Sequence, residues 1–176
     1  LIGNETLAAA ILLIGIAQPT ASIAGNSDKV LSDSVECLAK NMYYEARSQG
    51  TAGKLAVSAV VLNRVNDERF PNSVCEVVYQ GPTRKSWKDP SKSYPIKNRC
   101  QFSWYCDGLS DEPKNDQAWK KALDLSKLIM HNDIQFIDIT DGATHYHADY
   151  VKPSWAKTKT RTTEIGDHIF YRWEKE

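Results

Sequence analysis

The sequence predicts an α+β domain, with helices first and a small sheet last. Through the first two-thirds, apolar residues recur at three- and four-residue intervals, the period of a helix with one buried face. In the last third the period changes. "ATHYHADY", "KTKTRTTEI" and "HIFYRW" read as strands, with "IGDH" as the turn between the last two. Helices and strands are thus segregated along the chain rather than alternating, which is the α+β order. With 176 residues, 41% of them apolar and 25% charged, the chain is long enough for one domain with a proper core.

The elements follow in order. "LIGNETLAAAILLIGIAQPTASIAG" opens the chain, and its apolar run from Leu7 to Ala17 is too short for an ordinary spanning helix. It has the length of a secretory h-region, and Ser22 and Ala24 form a small-x-small cleavage pattern. No Lys or Arg precedes the run and Glu5 does, which departs from a simple signal peptide; on the length of the run and the cleavage pattern, residues 1–25 are expected to be a signal peptide or a signal-anchor. Residues 7–24 could then tether the chain transiently to a membrane, and the expected location is the periplasm or cell wall. "GNSDK" marks a linker, assigned to residues 26–34, and the domain proper is placed at 35–176. A capping box from Asp33 to Glu36 starts the first helix, which carries Val35, Leu38, Ala39, Met42, Tyr43 and Ala46 and stops at Gly50. Thr51 can cap a second helix through "AGKLAVSAVVLNRV", which is rich in Ala and Val and reads as buried. A second capping box, Ser73 to Glu76, starts a short third helix in "FPNSVCEVVYQ". Residues 81–114 read as a long irregular segment broken only by "CQFSWYC", and such loops are usually functional or mobile. A fourth helix is expected over residues 116–131.

Charge and composition narrow the function. Lysine plus arginine and aspartate plus glutamate balance at 22 each, which argues against a dominant basic surface for nucleic acid and leaves room only for a local patch. Five Trp and eight Tyr suit a sugar-binding groove, although core packing is the commoner use of aromatics. No G-x-S-x-G nucleophile and no Gly-rich phosphate loop occurs. The four cysteines, Cys37, Cys75, Cys100 and Cys106, include no C-x-x-C pair, so they suit two disulfides better than a zinc site.

Within "NMYYEARSQG", Glu45 lies seven residues after Leu38, about 20° short of two full helical turns. It therefore projects toward the apolar side. A carboxylate held there is desolvated, its pKa rises, and it can serve as a general acid. A second constellation competes. In "HYHAD", His145, His147 and Asp149 alternate and would share one face of a strand, a candidate zinc set.

Several ordered blocks resemble the cell-wall hydrolase family that includes the spore-cortex-lytic enzymes. They are "AKNMYYEARSQGTAGKLAVSAVVLNRVNDERFPNSVCEVVYQ", "QFSW" and "GATHYHADYVKPSWAKTKTRTTEIGDHIFYRW", spread from Cys37 to Trp173. The resemblance implies a compact lysozyme-like fold and cleavage of peptidoglycan glycan strands between N-acetylmuramic acid and N-acetylglucosamine. It puts the catalytic glutamate at Glu45 and places Gln101, Phe102, Ser103 and Tyr146 in or near the groove. His147 is a groove candidate that departs from many relatives, where asparagine is common. The implied reaction is that of a lytic transglycosylase, with a hydrolytic muramidase as the alternative. A zinc hydrolase and a non-catalytic wall-binding module are the remaining rivals. No cofactor and no metal is expected, the partner is the glycan strand, and the chain is expected to be a monomer. An apolar leader on a single small domain is similar to phage endolysins exported by a signal-anchor, or to a periplasmic relative. Of the three pairings that four cysteines allow, the expected one is Cys37–Cys75, tying the Glu45 helix to the third helix, with Cys100–Cys106 closing a loop around "QFSWY".

Overall fold

The structure, a computed structural model, describes residues 21–175. The apolar run Leu7–Ala17 therefore lies outside the described residues, and with it most of the expected leader. Among the described residues, no helix is long and apolar enough to cross a membrane.

Four helices precede a three-stranded sheet. Helix α1 (Ala21–Ala46) and α2 (Thr51–Val65) are joined by a short turn, and α3 (Val74–Val78) follows. A small hairpin comes next, β1 (Thr83–Lys85) with β2 (Ser93–Pro95), and then a single 3₁₀ turn over Ser103–Cys106. Helix α4 (Asp116–Met130) leads to β3 (His145–Ala148), β4 (Thr160–Ile165) and β5 (His168–Arg172). The sheet is antiparallel with β5 in the middle, in the order β3-β5-β4.

Two expectations need correction. Residues 26–34 are helical rather than an irregular linker, because α1 starts well before the Asp33–Glu36 capping box. Asp33 does not cap; its carboxylate takes an ion pair from Lys29 one turn back, at 3.0 Å. The extra turns place Leu31, with Val35, along a groove also lined by Trp119 and Leu123 of α4, an apolar setting that favours continuing the helix. The second correction concerns residues 81–114, which hold the β1–β2 hairpin and the 3₁₀ turn and are not wholly irregular.

Two of the other helices start on side-chain caps, and α2 does not. Ser73 Oγ accepts from the Glu76 amide and donates to its carboxylate at 2.7 Å, a working N-cap for α3. Asn115 caps α4 by accepting from the Ala118 amide at 2.9 Å. Gly50, not Thr51, occupies the cap position of α2. Gly166, with φ of 59°, makes the β4–β5 turn, and the Gln49 side chain fills the space where a Cβ would stand.

The main core is built from Leu38, Ala39, Met42 and Tyr43 of α1 packed on Val61, Val74, Val77, Val78, Ala122 and Ile129. A second, smaller cluster seats the sheet: Phe170 of β5 lies on Ala56 and Val60 of α2, with Ala143 beside them. Both expected disulfides are present. Cys37–Cys75 joins α1 to α3, and Cys100–Cys106 closes the loop that carries Gln101, Phe102 and Ser103. Cys37–Cys75 ties residues 38 apart, so replacing both with alanine is expected to lower stability by about 2–5 kcal/mol. A urea titration of the double variant beside the parent protein measures the loss.

Candidate active site

Glu45 is the last residue but one of α1, and three anchors fix that end of the helix. Tyr43, fully buried, accepts through its hydroxyl from the Lys114 and Asn115 amides, both at 3.1 Å, which pins α1 to the start of α4. Lys54 of α2 donates to the Gln49 and Arg47 carbonyls just beyond the helix end, satisfying groups that would otherwise be orphaned. Gln49 Nε2 donates to Asp167 at 2.7 Å and so ties the following turn to the β4–β5 turn.

The side chain of Glu45 is half-buried on the wall of a cleft of about 740 Å³. Burial pushes its carboxyl up from the ordinary glutamate value of 4.5, against two smaller influences that pull it down. One is the Tyr146 hydroxyl, which donates to Glu45 Oε2 at 2.8 Å. The other is the positive charge of Arg64. Tyr146 has its own pKa raised well above 10, chiefly by burial and then by the Glu45 charge, so it stays a donor at any working pH.

The sequence motif "LNR" in α2 explains why Tyr146 reaches that position. Asn63 donates to the Ala143 carbonyl at 3.0 Å and Arg64 Nε to the Thr144 carbonyl at 2.7 Å, so α2 grips the backbone just before β3. Asp138 supports this segment by accepting from Asn63 and from the Gly142 amide. Arg64 is buried, sandwiched with its guanidinium 5.2 Å from the centres of both Phe70 and Phe102, and burial lowers its pKa to about 10. It still carries full charge at neutral pH.

All six residues expected at the site line this one cleft. Gln101 and Ser103 are exposed on its rim. Phe102 is buried beneath them and acts through Arg64, as a wall rather than a contact surface. The rim is held to α1 by Trp104, which stacks on Tyr44 at 4.7 Å and donates from its indole nitrogen to Asn41. His147 lines the cleft with its ring fixed at both nitrogens. Nδ1 lies 2.8 Å from the Ala148 carbonyl and must carry the proton, which leaves Nε2 to accept from the Tyr171 hydroxyl at 3.0 Å.

His145, His147 and Asp149 do not converge. The two imidazoles pack on Trp155, at 5.3 and 5.7 Å between ring centres, and Asp149 is exposed beyond the end of β3. Among the described residues, no group of three His, Cys, Asp or Glu side chains is gathered so as to hold a metal ion. Burial lowers the pKa of His145 to about 3 and also lowers that of His168, so both rings are neutral at physiological pH. Sequence reasoning missed Arg64, Trp155 and Tyr44 as cleft residues. For Arg64 a signal was available: a lone arginine in an Ala/Val-rich helix read as buried needs a partner inside.

A glutamate with raised pKa, accepting from a tyrosine on the wall of a cleft, is chemically able to give and take a proton there. The Cell Wall Hydrolase family profile matches residues 48–171, and the chain belongs to that family. The matched span begins three residues after Glu45. The chain is 28% identical over 148 residues to a spore cortex-lytic enzyme of Halalkalibacterium halodurans, covering 84% of this chain and 36% of that protein. It is equally identical over 140 residues to the spore cortex-lytic enzyme of Bacillus subtilis, covering 79% and 37%. The chain thus spans little more than a third of these relatives' length. Among solved structures it is similar to the catalytic domain of the Bacillus cereus SleB protein, with a TM-score of 0.55 and 27% identity over 80% of this chain and 91% of that one. The catalytic domain of the germination-specific lytic transglycosylase SleB from Bacillus anthracis matches with the same score and identity, over 80% and 94%.

Proposed function

We propose that this protein cleaves the glycan strands of peptidoglycan as a lytic transglycosylase, outside the cytoplasm, with Glu45 as acid and then base. The observation that carries the reading is the Tyr146–Glu45 pair on the cleft wall. Protonated Glu45 gives its proton to the glycosidic oxygen as the bond to C1 of N-acetylmuramic acid breaks. The carboxylate left behind takes the proton of that sugar's O6 hydroxyl, and O6 closes on C1. The products are a 1,6-anhydro end and a free N-acetylglucosamine hydroxyl, and Glu45 is again protonated. Gln101, Ser103 and His147 would contact the sugars from the rim and the β3 wall.

A retaining hydrolase wants a second carboxylate roughly 5 Å from the first. Of the acids open to that role, Asp107 lies on the cleft wall and its Oδ1 accepts from the Leu109 amide. Asp149 lines a different groove, and Glu164 pairs with Arg161 on the exposed side of β4. Among the described residues, the one charge that shifts Glu45 is that of Arg64, which pulls its pKa down. This favours the transglycosylase over the muramidase. Mass analysis of soluble fragments released from sacculi tests it. The expected muropeptides are each lighter by one water than the hydrolytic ones, and fully hydrated reducing ends would overturn the transglycosylase in favour of the muramidase.

The pair also sets a pH dependence. Tyr146→Phe removes a hydrogen bond that favours ionised Glu45, so the Glu45 pKa rises further. The acid must be protonated to act, so the alkaline limb of the lysis profile is expected to move to higher pH. The plateau rate should fall about tenfold as the carboxyl loses its brace. A turbidity assay across pH reads both effects.

A further inference from the structure

The β1–β2 hairpin belongs to neither the core nor the cleft wall. Residues 83–99 carry six cations, Arg84, Lys85, Lys88, Lys92, Lys97 and Arg99, against one acid, Asp89, in a chain whose charges balance overall, so the rest of the chain is net acidic. Asp89 is already engaged by Ser91 and Lys92, so among the described residues the other five cations have no carboxylate partner. Two large aromatics stand in the same arm. Trp87 is 87% exposed, with the Lys88 amine 5.1 Å from its ring, and Tyr94, paired across the strands with Arg84, is 51% exposed. Exposed aromatics among unpaired cations have no structural use, and they point to a ligand.

The position of the arm identifies the ligand. Its two ends are joined where the Gln101 amide donates to the Gln80 carbonyl at 2.9 Å, and Gly81 packs closely on Cys100 of the Cys100–Cys106 bridge. Gln101 and Ser103 on that bridge-closed loop are the cleft rim. A polymer lying against that rim is therefore close to the base of the hairpin. An N-acetylated glycan backbone is uncharged, and the anions it brings are the carboxylates of the peptide stems on its muramic acids.

We propose that the β1–β2 hairpin is a second binding site, gripping the carboxylates of peptide stems on the glycan that occupies the cleft. The site rests on the peptidoglycan reading above and adds a specificity to it: stem-bearing strands are held, and stripped strands are not. Exposed cations act here through screened attraction, so the grip is strong at low salt and weak at high salt.

Sedimentation of the full-length Glu45→Gln chain with purified sacculi tests this without lysis. The combined change Arg84→Gln, Lys85→Gln and Lys88→Gln is expected to weaken binding about tenfold near 0.1 M salt, with the difference gone near 1 M. The charge-keeping set Arg84→Lys, Lys85→Arg and Lys88→Arg should bind as the parent does, which separates charge from any change in the hairpin's fold. Amidating the stem carboxyls of the sacculi should weaken the parent and leave the glutamine variant unchanged. Undiminished binding by the glutamine variant overturns the proposal. Undiminished binding to amidated sacculi also overturns it, and so does equal loss by the charge-keeping set. Co-sedimentation with phosphatidylglycerol vesicles as strong as with sacculi would make the arm a lipid contact instead. A parent chain that binds no sacculi at all would defeat the peptidoglycan reading itself.

Discussion

Glu45→Gln is expected to abolish lysis of purified sacculi while leaving the fold in place. Glutamine keeps the size of the side chain and can still accept from the Tyr146 hydroxyl, but it can neither deliver a proton nor remove one. General acid–base help is worth about 10²–10⁴-fold, roughly 3–5 kcal/mol of barrier, and in the proposed mechanism one residue serves both steps, so the loss should lie at the upper end or beyond. The variant should also be more stable at neutral pH. Burial raises the Glu45 pKa above its unfolded value, so the folded state disfavours the charged form. The stability the carboxyl contributes is complete below the unfolded pKa and is lost as pH rises through the folded one. Glutamine has no such loss. Its advantage in melting temperature should appear at neutral pH and vanish below pH 4.5, the ordinary glutamate value. A Glu45→Gln protein that still clears sacculi would move attention to Asp107.

Phe170→Ala is expected to cost about 3–5 kcal/mol, the range for emptying a buried aromatic site. Phe170 is fully buried on the central strand of the sheet and, among the described residues, is the largest fully buried side chain of the cluster that seats the sheet on α2, with Tyr146 and Ile165 packed against it. It also lies directly across from Tyr146 in the β3–β5 register, with ring centres 5.5 Å apart. The cavity should therefore loosen the tyrosine that braces Glu45. A urea midpoint that falls together with the lytic rate, measured well below the transition, is the expected result. A stability loss with a full lytic rate would show that Tyr146 is held by Glu45 and the α2 grip alone.

What the sequence disclosed follows from which forces were local. The apolar period of α1 aimed Glu45 at the interior, and the cleft wall is where it stands. The Ser73 cap and the alternating strands of the last third were readable because capping and two-residue alternation are written within a few positions. The helical state of residues 26–34 was not, since the groove that Leu31 and Val35 line is completed by Trp119 and Leu123, nearly ninety positions away. The β1–β2 hairpin escaped for another reason. Its strands are three residues long and fully exposed on β1, so no burial pattern marks them. Arg64 was hidden by its setting, because a charge inside an apolar helix reads as noise until its carbonyl partner on the sheet is seen.

The Cys100–Cys106 bridge gives the molecule a timetable. It closes the loop that bears Gln101 and Ser103 and, through Gly81, the base of the basic arm. Such cross-links persist only where the surroundings oxidise thiols. Among cytosolic reductants the chain would have both the rim and the arm unfastened, and an oxidising compartment would complete them. On the proposed function, competence to cut would then be acquired late and away from synthesis, and any recombinant source must supply an oxidising fold.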